Sequence, residues 1–294
     1  MRKSVLFVLL FVPLMMQAQV LYQISGNGCK DKSYLLATNA LTDIRFLDTI
    51  PNLFKVYGQT DKVITEFAVE DYEAIAALRK AALLPDSVRL QNFYTEEEYH
   101  QIDEALLLTL GMGLETLGRM KPSHITELYR NELLKKWADY DENRSSQHFF
   151  EAVAQQQSKP IYGLDNLGET LYMLFDREPF DWQCKQLLNI TEYPEREVKL
   201  EKQLSELYRM GRLLDMVYLL SGPDNLSTHS YSDYQVYAKR NKEWAQRLEP
   251  YLKEGKAFIT LDAVYLAGDK GLIAYLKSAG YKVKPVNKSL SIKK

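Results

Sequence analysis

Residues 258–271 read FITLDAVYLAGDKG. An apolar run stops at Asp262, a short turn carries Tyr265, and a helix-like pattern follows. Strand, turn and helix in that order form the unit of a sheet packed against helices. In such sheets ligands sit outside the carboxyl ends of strands, so Asp262 and Tyr265 stand at a candidate site mouth. The stretch contains no histidine, cysteine or glycine-rich phosphate loop.

Outward from it, the chain reads as helix 231–253, strand 256–262, helix 269–279 and strand 281–286. Gly280 falls where a helix-terminating glycine is expected. Near the start, VLYQIS and SYLLAT flank GNGCKDK, whose Gly and Asn supply the positive φ of a tight turn; a hairpin over 20–39 follows. KVITEF reads as a short buried strand reaching Glu66, and KPIYGLD as another.

Between and after these strands the spacing is helical. One helix runs from Asp71 with Tyr72, Ile75, Leu78 and Ala82 on one face; the next opens with Thr95 and Glu98 as a capping box and ends at Gly111. Helical patterns continue from Pro122 to about Asp139, over 145–157, and through 166–220 with breaks near Pro179 and Pro194. The prediction is an α/β fold: a central mixed β-sheet flanked by helices, carrying a large helical insertion at about 71–220, in a single domain over 19–294.

The N-terminal MRKSVLFVLLFVPLMMQAQ pairs a basic start with an apolar run and small Ala18, the pattern of a secretory signal peptide over residues 1–18. The expected location is periplasmic or extracellular. No later run approaches the roughly 20 apolar residues of a membrane span, so no membrane insertion is expected after cleavage. A formal charge of −2 gives no pull toward nucleic acid, and the Lys-rich end, Lys282 to Lys294, reads as a solvated tail. Cys29 and Cys184 are the only thiols. A bridge would need their Cα atoms within about 7 Å, which sequence leaves open.

On the helix 231–253, Tyr234, Tyr237, Asn241, Trp244, Leu248 and Tyr251 recur in steps of three or four, which places Asn241 on the inward face. An amide there either ties the helix to neighbouring backbone or points into a site. Arg240 beside it is a solvated cation or a carboxylate anchor. Glu66 and Asp262 each lie at the end of an apolar strand; if those strands are neighbours, the two carboxylates converge. His100, His124, His148 and His229 form no strong metal spacing; the pairs His124/Glu127 and His148/Glu151 are weak ones. No nucleophile elbow, P-loop or dinucleotide fingerprint occurs.

The order of these segments resembles the TraB/PrgY/GumN family, whose fold relatives include the Tiki proteases and the EreA/ChaN-like proteins. VLYQISGNGCKDKSYLLATNALTD resembles the family's opening hairpin into a histidine motif, and VITEF its strand ending in Glu. RMKPS, KPIYGLD, RNKEWAQRL and the closing FITLDAVYLAGDKGLIAYLKSAGYKV fall where the family has similar words. In members thought to be metal-dependent hydrolases, the resemblance implies a site built from two Gly-x-x-His histidines and the strand-end Glu.

Here the first motif is Ala37-Thr38-Asn39-Ala40 and the second Asp262-Ala263-Val264-Tyr265, so both histidines and both leading glycines are replaced, while Glu66, Arg240 and Asn241 match. Ala40 has no donor, and a phenol with ordinary pKa near 10 is a poor metal ligand. The resemblance then implies a non-catalytic, degenerate member without cofactor. Its pocket, lined by Asn39, Glu66, Arg240, Asn241, Asp262 and Tyr265, binds a peptide or small ligand. The alternative is a hydrolase with altered chemistry, in which Glu66 is the candidate catalytic group and oxygen ligands hold a harder cation such as Ca²⁺ or Mn²⁺.

Overall fold

The computed structural model of the chain describes residues 19–68, 72–137, 146, 149–221 and 231–286, without the side chains of residues 72 and 231–236. The expected signal peptide, residues 287–294 of the basic tail, His148 and His229 lie outside the described residues.

Among the described residues six strands form one mixed sheet: β1 (Leu21–Gly26), β2 (Ser33–Thr38), β3 (Lys62–Thr65), β4 (Ile161–Gly163), β5 (Ala257–Asp262) and β6 (Tyr281–Pro285), in the order β4-β3-β5-β2-β1-β6. The hairpin forms as read, with β1 antiparallel to β2 and to β6. The pairs β2/β5, β3/β5 and β3/β4 are parallel. Every residue of β2 and the first five of β5 are buried, as expected of parallel strands covered on both faces. These strands are accordingly continuous apolar runs in sequence, while edge strand β6 alternates.

The sheet core takes Leu35, Leu36, Ile64, Phe258 and Ile259 from the strands. Phe150, Tyr208, Trp244, Leu248 and Leu276 cover them from surrounding helices. A second apolar cluster is built mainly on helices and takes no residue from the sheet's strands: Ile102 and Leu106 of helix Glu96–Leu110, Ile125, Tyr129 and Leu133 of helix Pro122–Trp137, and Leu187 and Ile190 of helix Phe180–Glu192. Helix Pro194–Arg209 joins the two, giving Val198 to the helical cluster and Leu204 and Tyr208 to the sheet core.

The Thr95/Glu98 capping box forms, and Gly111 ends its helix in the left-handed region. One helical face differs from expectation. Along helix Tyr72–Ala81 and just past it, Leu78 is half-buried and Ala82 buried as expected, but Ala74 is buried where Ile75 was expected and Ile75 is exposed; Asp71 and the Tyr72 side chain lie outside the described residues. Small alanines let the helix lie close to its neighbours, and a single exposed Ile has only a small cost. Cys29 is half-buried and Cys184 buried, and both are free thiols.

Candidate functional site at the carboxyl ends of the strands

Because β2, β3, β4 and β5 run parallel, their carboxyl ends share one edge of the sheet. Asn39, Glu66 and Asp262 stand there, and so does Asp165, two residues past β4. Pairing between β3 and β4 continues past the strands: Leu164 N–H donates to Thr65 O at 2.9 Å and Asp165 N–H to Glu66 O at 2.8 Å. Gly163 permits this approach, since a Cβ there would stand 2.7 Å from the Ala68 nitrogen. The convergence of Glu66 and Asp262 is direct, with Asp262 N–H donating to Glu66 Oε1 at 3.0 Å.

Arg240, on helix Tyr231–Arg247, organises this edge from behind. Its Nε donates to Asp165 Oδ2 at 2.7 Å, its Nη2 lies 2.6 Å from the same oxygen, and its Nη1 lies 3.2 Å from Glu66 Oε2 and donates to the Tyr265 hydroxyl. The guanidinium stacks over the Trp244 and Tyr265 rings, 4.2 and 4.8 Å from their centroids. Trp244 Nε1–H completes the set by donating to Asp165 Oδ1. Burial works against the Arg240 charge, but Tyr265, Glu66 and Asp165 outweigh it and raise its pKa further. Burial, reinforced by Glu66, also raises the Tyr265 hydroxyl well above its ordinary value, so the phenol stays protonated.

In front of this edge lies a cavity of about 570 Å³. Asn39, Ala40, Glu66, Asp262 and Tyr265 form its sheet side, and Ser123, His124, Thr126, Glu127 and Arg130 of helix Pro122–Trp137 its opposite wall. Met173, Leu174 and Phe175 close it from a π-helical turn, Tyr172–Asp176, a wide turn that recurs at functional sites. Glu201 and Leu204 of the helix joining the two cores also line it, as does Tyr237. Burial lowers the His124 pKa against the opposing pull of Glu127, which favours the uncharged ring.

The TraB/PrgY/gumN family model matches residues 20–285. The chain belongs to the TraB/PrgY/gumN family. Comparison with curated proteins and with solved structures gives no match.

Within this family member, Asn39, Glu66, Asp262 and Tyr265 line the cavity, while Arg240 and Asn241 are not among its lining residues. Arg240 holds the carboxylates from behind. Asn241 is the tie between elements, its Nδ2 donating to Lys270 O at 3.0 Å. Asp165 was not singled out from sequence, and of the helical wall only His124 and Glu127 were, as a weak metal-spacing pair. Asp165 carries the same signal as Glu66 and Asp262, a carboxylate just past an apolar strand. The other wall residues carry no signal of their own, because only tertiary packing brings helix Pro122–Trp137 opposite the sheet.

The metal implied by the resemblance does not fit these residues. Both Glu66 oxygens face N–H donors, Asp262 Oδ1 accepts from Val264 N–H at 3.0 Å, and Asn39 Oδ1 accepts from the Thr42 hydroxyl at 3.0 Å. Ala40 offers no donor atom and the Tyr265 phenol is held protonated. The donor chemistry that two imidazoles would bring is therefore missing at both positions.

Proposed function

We propose that this chain is an exported, non-catalytic member of the TraB/PrgY/gumN family that holds a peptide or small ligand in the cavity at the sheet's carboxyl ends. The observation that carries the reading is the commitment of Glu66. Its Oε1 accepts the Asp262 N–H and its Oε2 pairs with Arg240. A carboxylate held on both oxygens braces the strand ends and is poorly placed to act as a base or ligand. The cavity remains, with apolar surface from Met173, Leu174, Phe175, Leu204 and Tyr237 and convergent polar groups at either end, the mixture that small-ligand sites share. Export is supported by the basic-then-apolar pattern of residues 1–18.

The test is metal content. Protein purified without added metal, before and after a chelator wash, is expected to carry no stoichiometric divalent ion and to keep its Tm. A stoichiometric ion whose removal lowers the Tm would overturn the reading in favour of an oxygen-ligated hydrolase.

A further inference from the structure

The cavity lies at the carboxyl ends of the parallel strands, and the opposite end of the sheet has a charge pattern of its own. The segments there are GNGCKDK (26–32), GQTDK (58–62), QSKP (157–160), KEGK (253–256) and KSAGYK (277–282), each entering or joining strands. Together they hold eight lysines, no arginine and three carboxylates, on a chain whose formal charge is −2. Glu254 pairs with Lys62 at 2.7 Å, and Glu249 adds a fourth carboxylate by pairing with Lys253 at 2.5 Å. Lys30, Lys32, Lys256, Lys277 and Lys282 are exposed. Positive charge is therefore concentrated at this end, and the rest of the chain carries the balancing negative excess.

Backbone hydrogen bonds lace these segments into one face. Lys30 N–H donates to Lys253 O at 3.0 Å, Lys256 N–H to Lys32 O at 3.0 Å and Asp61 N–H to Lys256 O at 3.0 Å. Asn27 Nδ2 donates to Ala279 O at 2.9 Å and joins the turn before β6 to the same face. Lys256, at the centre of the lacing, has a φ of +58°, a left-handed conformation that strains a residue with a Cβ. Glycine would relieve that strain, yet the position carries an exposed lysine, and strain held in place in this way clusters at functional positions.

With ~4.8 Å between neighbouring strands, the sheet spreads these lysines over roughly 24 Å. None of the exposed large apolar side chains of the described residues falls in the five segments, so they bring nothing that inserts into hydrocarbon or stacks on a nucleic-acid base. We propose that this amino-terminal edge of the sheet is a docking face for a bilayer rich in anionic phospholipid, which holds the protein at headgroup level. A lysine ammonium acts as a point charge, so a broad array of them meets mobile headgroup phosphates without needing fixed geometry. Docked in this way, the carboxyl ends of β2, β3, β4 and β5 face away from the bilayer, and the cavity stays open to solvent. The proposal is independent of what the cavity holds.

Sedimentation with vesicles tests it, using the chain from Gln19 onward so that the apolar residues 1–18 play no part. Vesicles of equal parts phosphatidylglycerol and phosphatidylcholine should bind the chain at about 0.05 M NaCl and release it at about 0.5 M, where screening is strong; pure phosphatidylcholine should not bind it. The triple variant Lys30→Glu, Lys32→Glu, Lys282→Glu should lose at least about tenfold in affinity at unchanged Tm. The milder pair Lys277→Gln, Lys282→Gln should lose several-fold, while Lys199→Glu with Lys202→Glu, on helix Pro194–Arg209, should lose nothing. Absence of binding to the anionic vesicles at low salt, equal binding to neutral ones, or equal losses in the platform and control variants overturns the docking face. So does binding that disappears when residues 287–294 are removed. Tighter binding to soluble polyphosphate than to the vesicles overturns the bilayer as partner.

Discussion

Asp165 shows how one side chain can set a whole edge. Its side chain is 2 % exposed, accepts from Arg240 and Trp244, and lies 3.7 Å from Arg247 Nη1. Removing one partner of a buried charge pair leaves the other desolvated and uncompensated. Asp165→Ala should therefore cost roughly 3–5 kcal/mol, while Asp165→Asn, which keeps an acceptor for the indole, should cost less. Urea unfolding of both variants checks the order, and equal losses would mean that the charge on Asp165 contributes nothing. At this scale the sequence was partly legible. Glu66 and Asp262 could be read as converging because each lies at the end of an apolar strand. The inward face of Asn241 was legible from its spacing, but its partner, the Lys270 carbonyl, is a turn whose position only folding defines.

At the scale of elements, strands and caps were the most legible features, because burial on both faces and reciprocal side-chain caps are written locally. What joins the elements was not. The helix Leu167–Leu171 is tied to helix Tyr231–Arg247 by Arg247, whose Nη1 donates to Glu169 Oε2 at 2.6 Å and to Leu164 O at 2.7 Å, and whose Nη2 donates to Glu169 Oε1. The hydrogen bonds from Arg247 hold the Glu169 carboxyl below its ordinary value of 4.5, against a burial effect of opposite sign. Since its folded pKa is lowered, this contribution is full above pH 4.5 and is lost as pH falls through the folded value. Glu169→Gln should lower stability at pH 6 and flatten the loss of stability below pH 4.5. Urea midpoints at pH 6 and pH 3 check this, and an unchanged acid slope would assign the sensitivity to other carboxylates.

At the scale of the whole molecule, the described residues pack into two apolar clusters with the cavity walled by the sheet on one side and helix Pro122–Trp137 on the other, an arrangement that periodicity alone could not reveal. Sequence showed many helices inserted among few strands, but not that Ile102, Ile125 and Leu187 form a core without any strand. That follows from how helices of similar pattern choose partners, which amphipathic spacing leaves undetermined. Helix Pro194–Arg209 serves both clusters, and its Tyr208 hydroxyl donates to Ala37 O at 2.9 Å, fastening the helical side to the end of β2. A cluster with its own apolar contacts can open without the rest when its contribution is weakened. Ile102 is fully buried in the helical cluster, so Ile102→Ala should cost roughly 2–5 kcal/mol. The loss should appear first as reduced amide protection in helices Glu96–Leu110, Pro122–Trp137 and Phe180–Glu192, with β2 and β5 keeping theirs. Because helix Pro122–Trp137 carries one wall of the cavity, the same variant should weaken whatever binds there before the sheet unfolds. Hydrogen exchange read peptide by peptide decides the matter: equal loss of protection in strands and helices would mean that the two clusters unfold as one cooperative unit.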